Sequence, residues 1–201
     1  MTDLFLVRHG QTVWHIENRY CGSSDIDLDE QGVAQAGQLA RWAKSANLDA
    51  VWASDLGRAR TTAQPRADAA GVDLRVDARL RELHFGQAEG LTIPEMAERF
   101  PDALAAFRHD PATHPLPRGE SPHAAAQRFV AALVDIDAEF PDGRVLVVAH
   151  STTIRLALCT LLGLRLGRYR DVFPAVTNCA ITEIRFRDGH FGLMRYNSPI
   201  T

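Results

Sequence analysis

The stretch Leu4-Phe5-Leu6-Val7-Arg8-His9-Gly10 decides the fold of this chain. A run of apolar residues followed at once by a cation, an imidazole and a glycine reads as a short strand buried on both faces, as in a parallel sheet. Far down the chain, Arg144-Val145-Leu146-Val147-Val148-Ala149-His150 repeats the arrangement with a histidine again at the carboxyl end. Ligands of open α/β sheets bind where such strands end. Two imidazoles delivered to that edge, one beside an arginine, suggest a nucleophile and an anion clamp in one pocket.

Working outward, apolar runs alternate with amphipathic segments. Asp29 reads as an N-cap, followed by Val33, Ala36, Ala40 and Ala43 at helical spacing. A short strand at Ala50–Ala53 leads into a helix with Ala59, Ala63 and Ala67 on one face, which Pro65 is expected to kink or end early. Residues 74–76 form another strand, and 93–108 one or two short helices. Pro111, Pro115 and Pro117 exclude regular structure from 110–119. Ser121-Pro122 starts a helix whose buried stripe is Phe129, Leu133, Ile136 and Phe140. A helix over 152–162 follows, then strands at 180–186 and 191–196 joined as a hairpin around Asp188-Gly189. Strand alternating with helix predicts an α/β fold: a three-layer α/β/α sandwich with a mostly parallel central sheet and an antiparallel edge strand. No linker or repeat divides the chain, so a single domain over 1–201 is expected. It carries a cap-like insertion at about 93–122 over the carboxyl edge of the sheet.

The 201 residues, 46% hydrophobic and 23% charged with a formal net charge of -3, suffice for a buried core. That balance gives no electrostatic reason to expect nucleic acid or an anionic membrane as partner. No apolar stretch approaches the roughly 18 residues of a membrane-spanning helix, and the N-terminus lacks the order of a signal peptide. Cys21, Cys159 and Cys179 are odd in number with no CxxC spacing, the usage of reduced thiols in a cytoplasm. A cytoplasmic protein acting on a small molecule is expected, and a homodimer is compatible with it. Asp25-Ile26-Asp27-Leu28-Asp29 has the look of a calcium loop, but Glu30 stands where that loop needs glycine. A turn and helix cap is the better reading, so neither a metal nor a cofactor is expected.

Five elements occur in order along the chain: Arg8-His9-Gly10, the run SDLGRA with Arg58, the run RELHFGQAEGLT with Glu82, Gly119-Glu120-Ser121, and the run VVAHSTTIR with His150. Together they resemble the histidine phosphatase superfamily, also called the phosphoglycerate mutase-like family, and its phosphatase branch in particular. The resemblance runs from residue 4 to about 155 and fits the C-terminal hairpin more loosely. It implies that His9 attacks phosphorus to form a phosphohistidine while Arg8 and Arg58 hold the phosphoryl oxygens. It further implies that His150 stabilises the developing charge. Glu82 then protonates the leaving oxygen and afterwards activates water. Departures from the family pattern fall at the pocket. His15 follows Trp14 where many members have asparagine, and its bulkier ring is expected to take over phosphate binding through an N–H, with a narrowing of the pocket as the alternative. Ser151 and Thr152 follow His150 where glycine is usual, and the backbone N–H of Ser151 survives that change. Gln11 stands where glutamate is also common, and Thr12 is expected to offer a hydroxyl at the pocket wall. Arg155 is expected to support the site or its helix.

Chemistry agrees with the implied set. Phosphate monoesters hydrolyse so slowly in water that enzymes accelerate them up to about 10²¹-fold. A protein without a metal needs a nucleophile, cationic clamps and a proton donor for the departing alkoxide. Glu82 must carry a proton while His9 does not, the reverse of their reference order of roughly 4.3 and 6.5. Burial is expected to raise Glu82, and donated hydrogen bonds to fix the His9 tautomer. The reading is a metal-independent phosphomonoesterase acting on a small phosphorylated metabolite such as a sugar, nucleoside or ribazole phosphate. The alternatives are a cofactor-dependent phosphoglycerate mutase and a weakly catalytic phosphate- or phosphopeptide-binding module. The segment between Gly90 and Ser121 is short for a mutase cap and offers Arg99, Arg108 and Arg118. Arg108, Arg118, His109 and His114 are candidates to read the leaving group.

Overall fold

In the computed structural model, which describes residues 1–187 and 189–200, the opening apolar run is the body of strand β1 (Thr2–Arg8). After it come α1 (Val13–Ile16), α2 (Glu30–Ala43), β2 (Ala50–Ala53), α3 (Gly57–Ala70) and β3 (Leu74–Val76). The insertion carries α4 (Ile93–Arg99) and α5 (Pro101–His109), and α6 (Pro122–Glu139) leads into β4 (Arg144–Ala149). The chain closes with α7 (Ser151–Leu161), α8 (Tyr169–Val172), β5 (Ile181–Arg187) and β6 (His190–Ser198). The six strands form one sheet of order β3-β2-β4-β1-β5-β6. β1 runs parallel to β4 in a register that pairs Leu4 with Val145 and Arg8 with Ala149.

Both faces of the sheet are covered, which explains why β1 and β4 read as unbroken apolar runs. Leu4, Leu6, Val145 and Val147 face a core built with Phe129, Leu133 and Ile136 of α6 and Leu156 of α7. Phe5, Val7, Leu146 and Val148 face the opposite core, built with Leu39 of α2 and Ala59, Ala63 and Ala67 of α3. This is the expected three-layer α/β arrangement, with the antiparallel hairpin at its edge. Within that hairpin β5 is the strand that runs against β1, and β6 is outermost. Asp188 of the expected turn lies outside the described residues, and Gly189 beside it takes a φ of 76°.

Three local expectations are corrected. The buried stripe of α2 is Gly32, Ala36, Leu39 and Ala43, while Val33 points to solvent. Helix α3 continues through Pro65 to Ala70. Pro65 and Thr61 both lie on its exposed side, where water can satisfy the carbonyl that the missing N–H leaves unpaired. Helix α7 begins one residue early, with His150 itself as N-cap.

The reason Val33 is displaced is steric and bears on the site. The segment after His9 lies directly on the first turn of α2. A Cβ on Gly32 would come within 2.0 Å of the Gln11 carbonyl oxygen, and one on Gly10 within 2.6 Å of the Gly32 oxygen. Hydrogen bonds seal the contact, from Asp29 N–H to the Gln11 carbonyl at 3.1 Å and from Gln11 N–H to Gln35 Oε1 at 2.9 Å. Asp29 caps the helix through Gly32 N–H at 2.7 Å, as expected. Gly32→Ala should therefore destabilise the protein by about 1–3 kcal/mol, through forced separation of α2 from the His9 segment. Gly37→Ala in the same helix, with nothing within 4 Å of the added Cβ, should stabilise it by roughly 0.5–1 kcal/mol. Thermal or denaturant unfolding of the two variants checks both signs.

Candidate active site

Because β1 and β4 are in register to their last residues, the residues that follow them stand side by side. His9 N–H continues the ladder to the Ala149 carbonyl at 3.0 Å, and the His9 and His150 rings lie 5.1 Å apart. His9 is buried, and Asn178 Nδ2 donates to its carbonyl at 2.7 Å. Its Nδ1 lies 2.7 Å from the Gly10 carbonyl oxygen. A carbonyl only accepts, so Nδ1 carries the hydrogen and Nε2 keeps its lone pair. Arg58 Nε–H donates to that Nε2 at 3.2 Å. Burial, reinforced by the charges of Arg58 and Arg8, holds the His9 imidazole well below its usual range and therefore neutral. His150 is lowered by burial in the same way, with Arg58 the next cause.

The arginines are held by backbone oxygens. Arg58, fully buried, donates from Nη1 to the Ser24 carbonyl and from Nη2 to the Gly22 carbonyl, each at 2.6 Å. The loop bearing those carbonyls is itself organised by Glu89. That carboxylate accepts from Gly22 N–H and Ser23 N–H, each at 3.0 Å, and from Ser24 Oγ at 2.9 Å. Arg8 Nη1 donates to the Val176 carbonyl at 2.9 Å, and Nη2 contacts His15 Nε2. Burial lowers Arg8 to about 10, a cation still. Among the described residues, Arg8 Nε and both ring nitrogens of His150 are buried with no protein partner. Such groups are costly unless something polar meets them.

Glu82 reaches the same place from the loop after β3. Its Oε1 accepts from the N–H groups of Leu83 at 2.8 Å and Thr153 at 3.1 Å, and its Oε2 from Thr152 N–H at 2.9 Å. Two of these donors belong to the first turn of α7, whose N–H groups have no partner within the helix. Arg128 of α6 anchors the loop from behind. Its Nη1 donates to the carbonyls of Arg79 and Arg81 at 2.7 and 2.8 Å, and its Nη2 to that of Glu82 at 3.0 Å. Glu120 pairs with Arg128 through both oxygens at 2.8 and 2.9 Å, which gives the Gly119-Glu120-Ser121 element a physical task.

A cavity of about 590 Å³ opens over these groups, and Arg8, His9, His15, Glu82 and Ser151 line it. Arg58 and His150 stand against His9 rather than on the wall. Thr12 lies behind His15, its N–H and hydroxyl within 3.0 and 2.8 Å of His15 Nδ1. Burial first and the Arg8 charge second push His15 down to about 4, so it too is neutral. Arg155, read from the sequence as a support, donates to the Ser151 carbonyl at 3.1 Å and also lines the cavity. Of the insertion, Ile93 reaches the wall, whereas Arg99, Arg108, Arg118, His109 and His114 are exposed elsewhere. The sequence reading also missed the 174–177 segment and Arg170, which complete the far wall. Among the described residues no group of three or more His, Cys, Asp or Glu could hold a metal ion, and no helix is long and apolar enough to cross a membrane.

Such a constellation offers a neutral imidazole with an available lone pair, two guanidiniums, buried unpartnered donors and a carboxyl group around one space. Comparison with known proteins agrees with that chemistry. The chain is 34% identical over 192 residues to the "Probable phosphoglycerate mutase GpmB" of Escherichia fergusonii, covering 95% of this chain and 88% of that one. Its fold is similar to that of mycobacterial glucosyl-3-phosphoglycerate phosphatase in complex with VO3, with a TM-score of 0.89 and 30% identity over 98% of this chain and 99% of that one. It is also similar to a phosphoserine phosphatase from Entamoeba histolytica, with a TM-score of 0.87 and 28% identity over 98% of each chain. The family model for the histidine phosphatase superfamily (branch 1) matches residues 4–199, and the protein belongs to that superfamily.

Proposed function

We propose that the protein is a phosphomonoesterase that works without a metal ion, through a phosphohistidine on His9. The observation that carries this reading is the hydrogen bond from His9 Nδ1 to the Gly10 carbonyl, which puts the ring hydrogen on Nδ1 and leaves the lone pair on Nε2, where Arg58 Nε–H now donates and a phosphoryl group would take its place. In the first step Nε2 bonds to phosphorus and the ester P–O bond breaks, with Glu82 delivering a proton to the leaving oxygen. Arg8, Arg58 Nε, the His150 ring and the Ser151 N–H stabilise the transferring oxygens. In the second step Glu82 takes a proton from water, the water oxygen attacks phosphorus, and the P–N bond breaks to release phosphate and His9. His15 faces the same oxygens from the side of Arg8, and the Thr12 hydroxyl orients the His15 ring.

The alternative is a mutase, which returns the phosphoryl group to a hydroxyl of its substrate, and the name of the curated relative supports it. The insertion argues for water as the acceptor, since none of its basic residues reaches the cavity. Wild-type protein should release inorganic phosphate from p-nitrophenyl phosphate between pH 5 and 8 with chelator present. His9→Ala should lower that rate by at least about 10³-fold, the scale of losing a covalent nucleophile. Interconversion of 2- and 3-phosphoglycerate without phosphate release would favour the mutase instead.

Glu82 has a separate signature. An alkyl leaving group needs its proton, whereas p-nitrophenolate departs without one. Glu82→Gln should therefore lower kcat/KM for an alkyl phosphate by roughly 10²–10⁴-fold and far less for p-nitrophenyl phosphate. Arg128→Met, which frees the loop behind Glu82, should show the same selectivity more weakly, with partial rescue by Arg128→Lys. Equal losses on both esters would mean a structural role alone.

Acid stability follows from the neutral histidines. Their folded values lie below the unfolded value of roughly 6.5, so below that pH the unfolded chain takes up protons that the folded chain refuses. Stability should be full above pH 6.5 and fall as the pH drops, by about 1.4 kcal/mol per pH unit for each of His9 and His150. Urea titrations at pH 7.5, 6.5 and 5.5 test this slope, and His150→Gln should reduce it.

A further inference from the structure

We propose that Glu89 is a positioning residue for phosphoryl binding and transfer, acting on Arg58 through the peptide groups of the 22–24 loop. The proposal deepens the hydrolase reading above and rests on it for the site. It starts from the way the Arg58 cation is held. Arg58 is fully buried, and its hydrogen bonds among the described residues go to His9 Nε2 at 3.2 Å and to the carbonyls of Ser24 and Gly22, each at 2.6 Å. Among the described residues no carboxylate forms an ion pair with it. A buried cation in that position is costly unless dipoles or an anion close by offset it.

The opposite charge lies on the far side of the loop. One peptide group spans the gap. Its Gly22 carbonyl accepts from Arg58 Nη2 at 2.6 Å, and its Ser23 N–H donates to Glu89 Oε1 at 3.0 Å. Residue 24 is fixed in the same sense. Its carbonyl meets Arg58 Nη1, while its hydroxyl and N–H donate to Glu89 Oε2 at 2.9 and 3.3 Å. Gly22 N–H adds a bond to Oε2 at 3.0 Å. A Cβ on Gly22 would come within 2.1 Å of Glu89 Oε1, so the loop closes directly on the carboxylate. From the segment that carries Glu82, Phe85 N–H donates to Oε1 at 3.0 Å. Burial opposes ionisation of Glu89, but these bonds outweigh it and hold the carboxyl below its usual range.

A loop that served only as a wall would need acceptors for its N–H groups, and water could supply them. The carboxylate does more, because its charge polarises the peptides in the sense that turns their carbonyl dipoles on Arg58. The far end of the guanidinium is where this matters. Arg58 Nε is held on His9 Nε2, the atom to which phosphorus would bond. Pinned at both Nη atoms, Arg58 keeps that Nε–H in place for the transferring oxygens. Each oxygen of Glu89 accepts from two backbone N–H groups. An amide at this position would turn its NH2 on one of those pairs, donor against donor. The loop carbonyls and the aim of Nε would then be released together.

The test is a double-mutant cycle on the binding of orthovanadate, an analogue of the transferring phosphoryl group, measured by calorimetry. Turnover does not enter this readout. With Arg58 present, Glu89→Gln should weaken vanadate binding by about tenfold or more. In the Arg58→Gln background the same change should weaken it by less than about twofold, since its effect then has no route to the ligand. Glu89→Asp, which keeps the charge, should keep part of the affinity, and its cycle replaces the first if the glutamine variant unfolds. A loss of similar size in both backgrounds would mean that Glu89 supports the loop alone, and it overturns the proposal. A loss below twofold with Arg58 present overturns it as well. The coupled pattern in a protein that hydrolyses no ester would strike the hydrolase reading and leave this one standing.

Discussion

The hydrogen bond from His9 N–H to the Ala149 carbonyl extends the β1–β4 ladder one step past the end of β1, and the geometry of the site descends from it. Parallel strands in register bring their following residues abreast. Here those residues are His9 and His150. A slip of one residue would turn one imidazole to the other face of the sheet. The same register fixes Glu82, because His150 caps α7 and the next two N–H groups but one, of Thr152 and Thr153, hold its carboxyl oxygens. The proposed nucleophile and the proposed acid are thus spaced by a strand pair and a helix start, both rigid, although Glu82 itself sits on a loop.

The charges around His9 act twice. They are positioned to meet an anion, and they also reinforce burial in keeping the imidazole neutral while the anion is absent. Holding them needs opposite polarity nearby, yet a carboxylate beside Arg58 would compete with a phosphoryl group. The loop at 22–24 resolves this with peptide groups. Its N–H donors go to Glu89 and its carbonyls go to Arg58, so the negative charge is set back by the width of a backbone. Dipoles rather than a formal charge then face the guanidinium.

Much of this was legible in the sequence because it is written in side chains. Strands covered on both faces are continuous apolar runs, and the residues at their ends stand out by contrast. Ser121-Pro122 and Asp29 announced their helices through capping chemistry. What stayed hidden is written in the backbone. The partners of Arg8 and Arg58 are carbonyl oxygens of Val176, Gly22 and Ser24, groups that every residue carries. The α2 stripe was misread because contact with Gln11 demands a glycine at position 32, and a steric requirement overrode the hydrophobic pattern at Val33. Pro65 misled because its effect depends on which side of the helix it occupies. The arginines and histidines of the insertion drew notice by type, and Arg170 did not, because stacking on aromatic rings leaves no spacing signal.

The reversal of β5 has a consequence for how such a protein can diversify. Since β5 runs against β1, the segment entering it passes over the carboxyl edge and walls the cavity at 174–177. Its tie to the site is main-chain, the Val176 carbonyl on Arg8. Val176 packs into the core and Thr177 accepts from Asn197 Nδ2 at 3.2 Å, whereas the side chains of Pro174 and Ala175 stand exposed and can be exchanged without disturbing the groups around His9. Selectivity can drift at these positions while the groups around His9 stay in place, which divides the labour between an editable stretch of chain and the strand pair β1–β4.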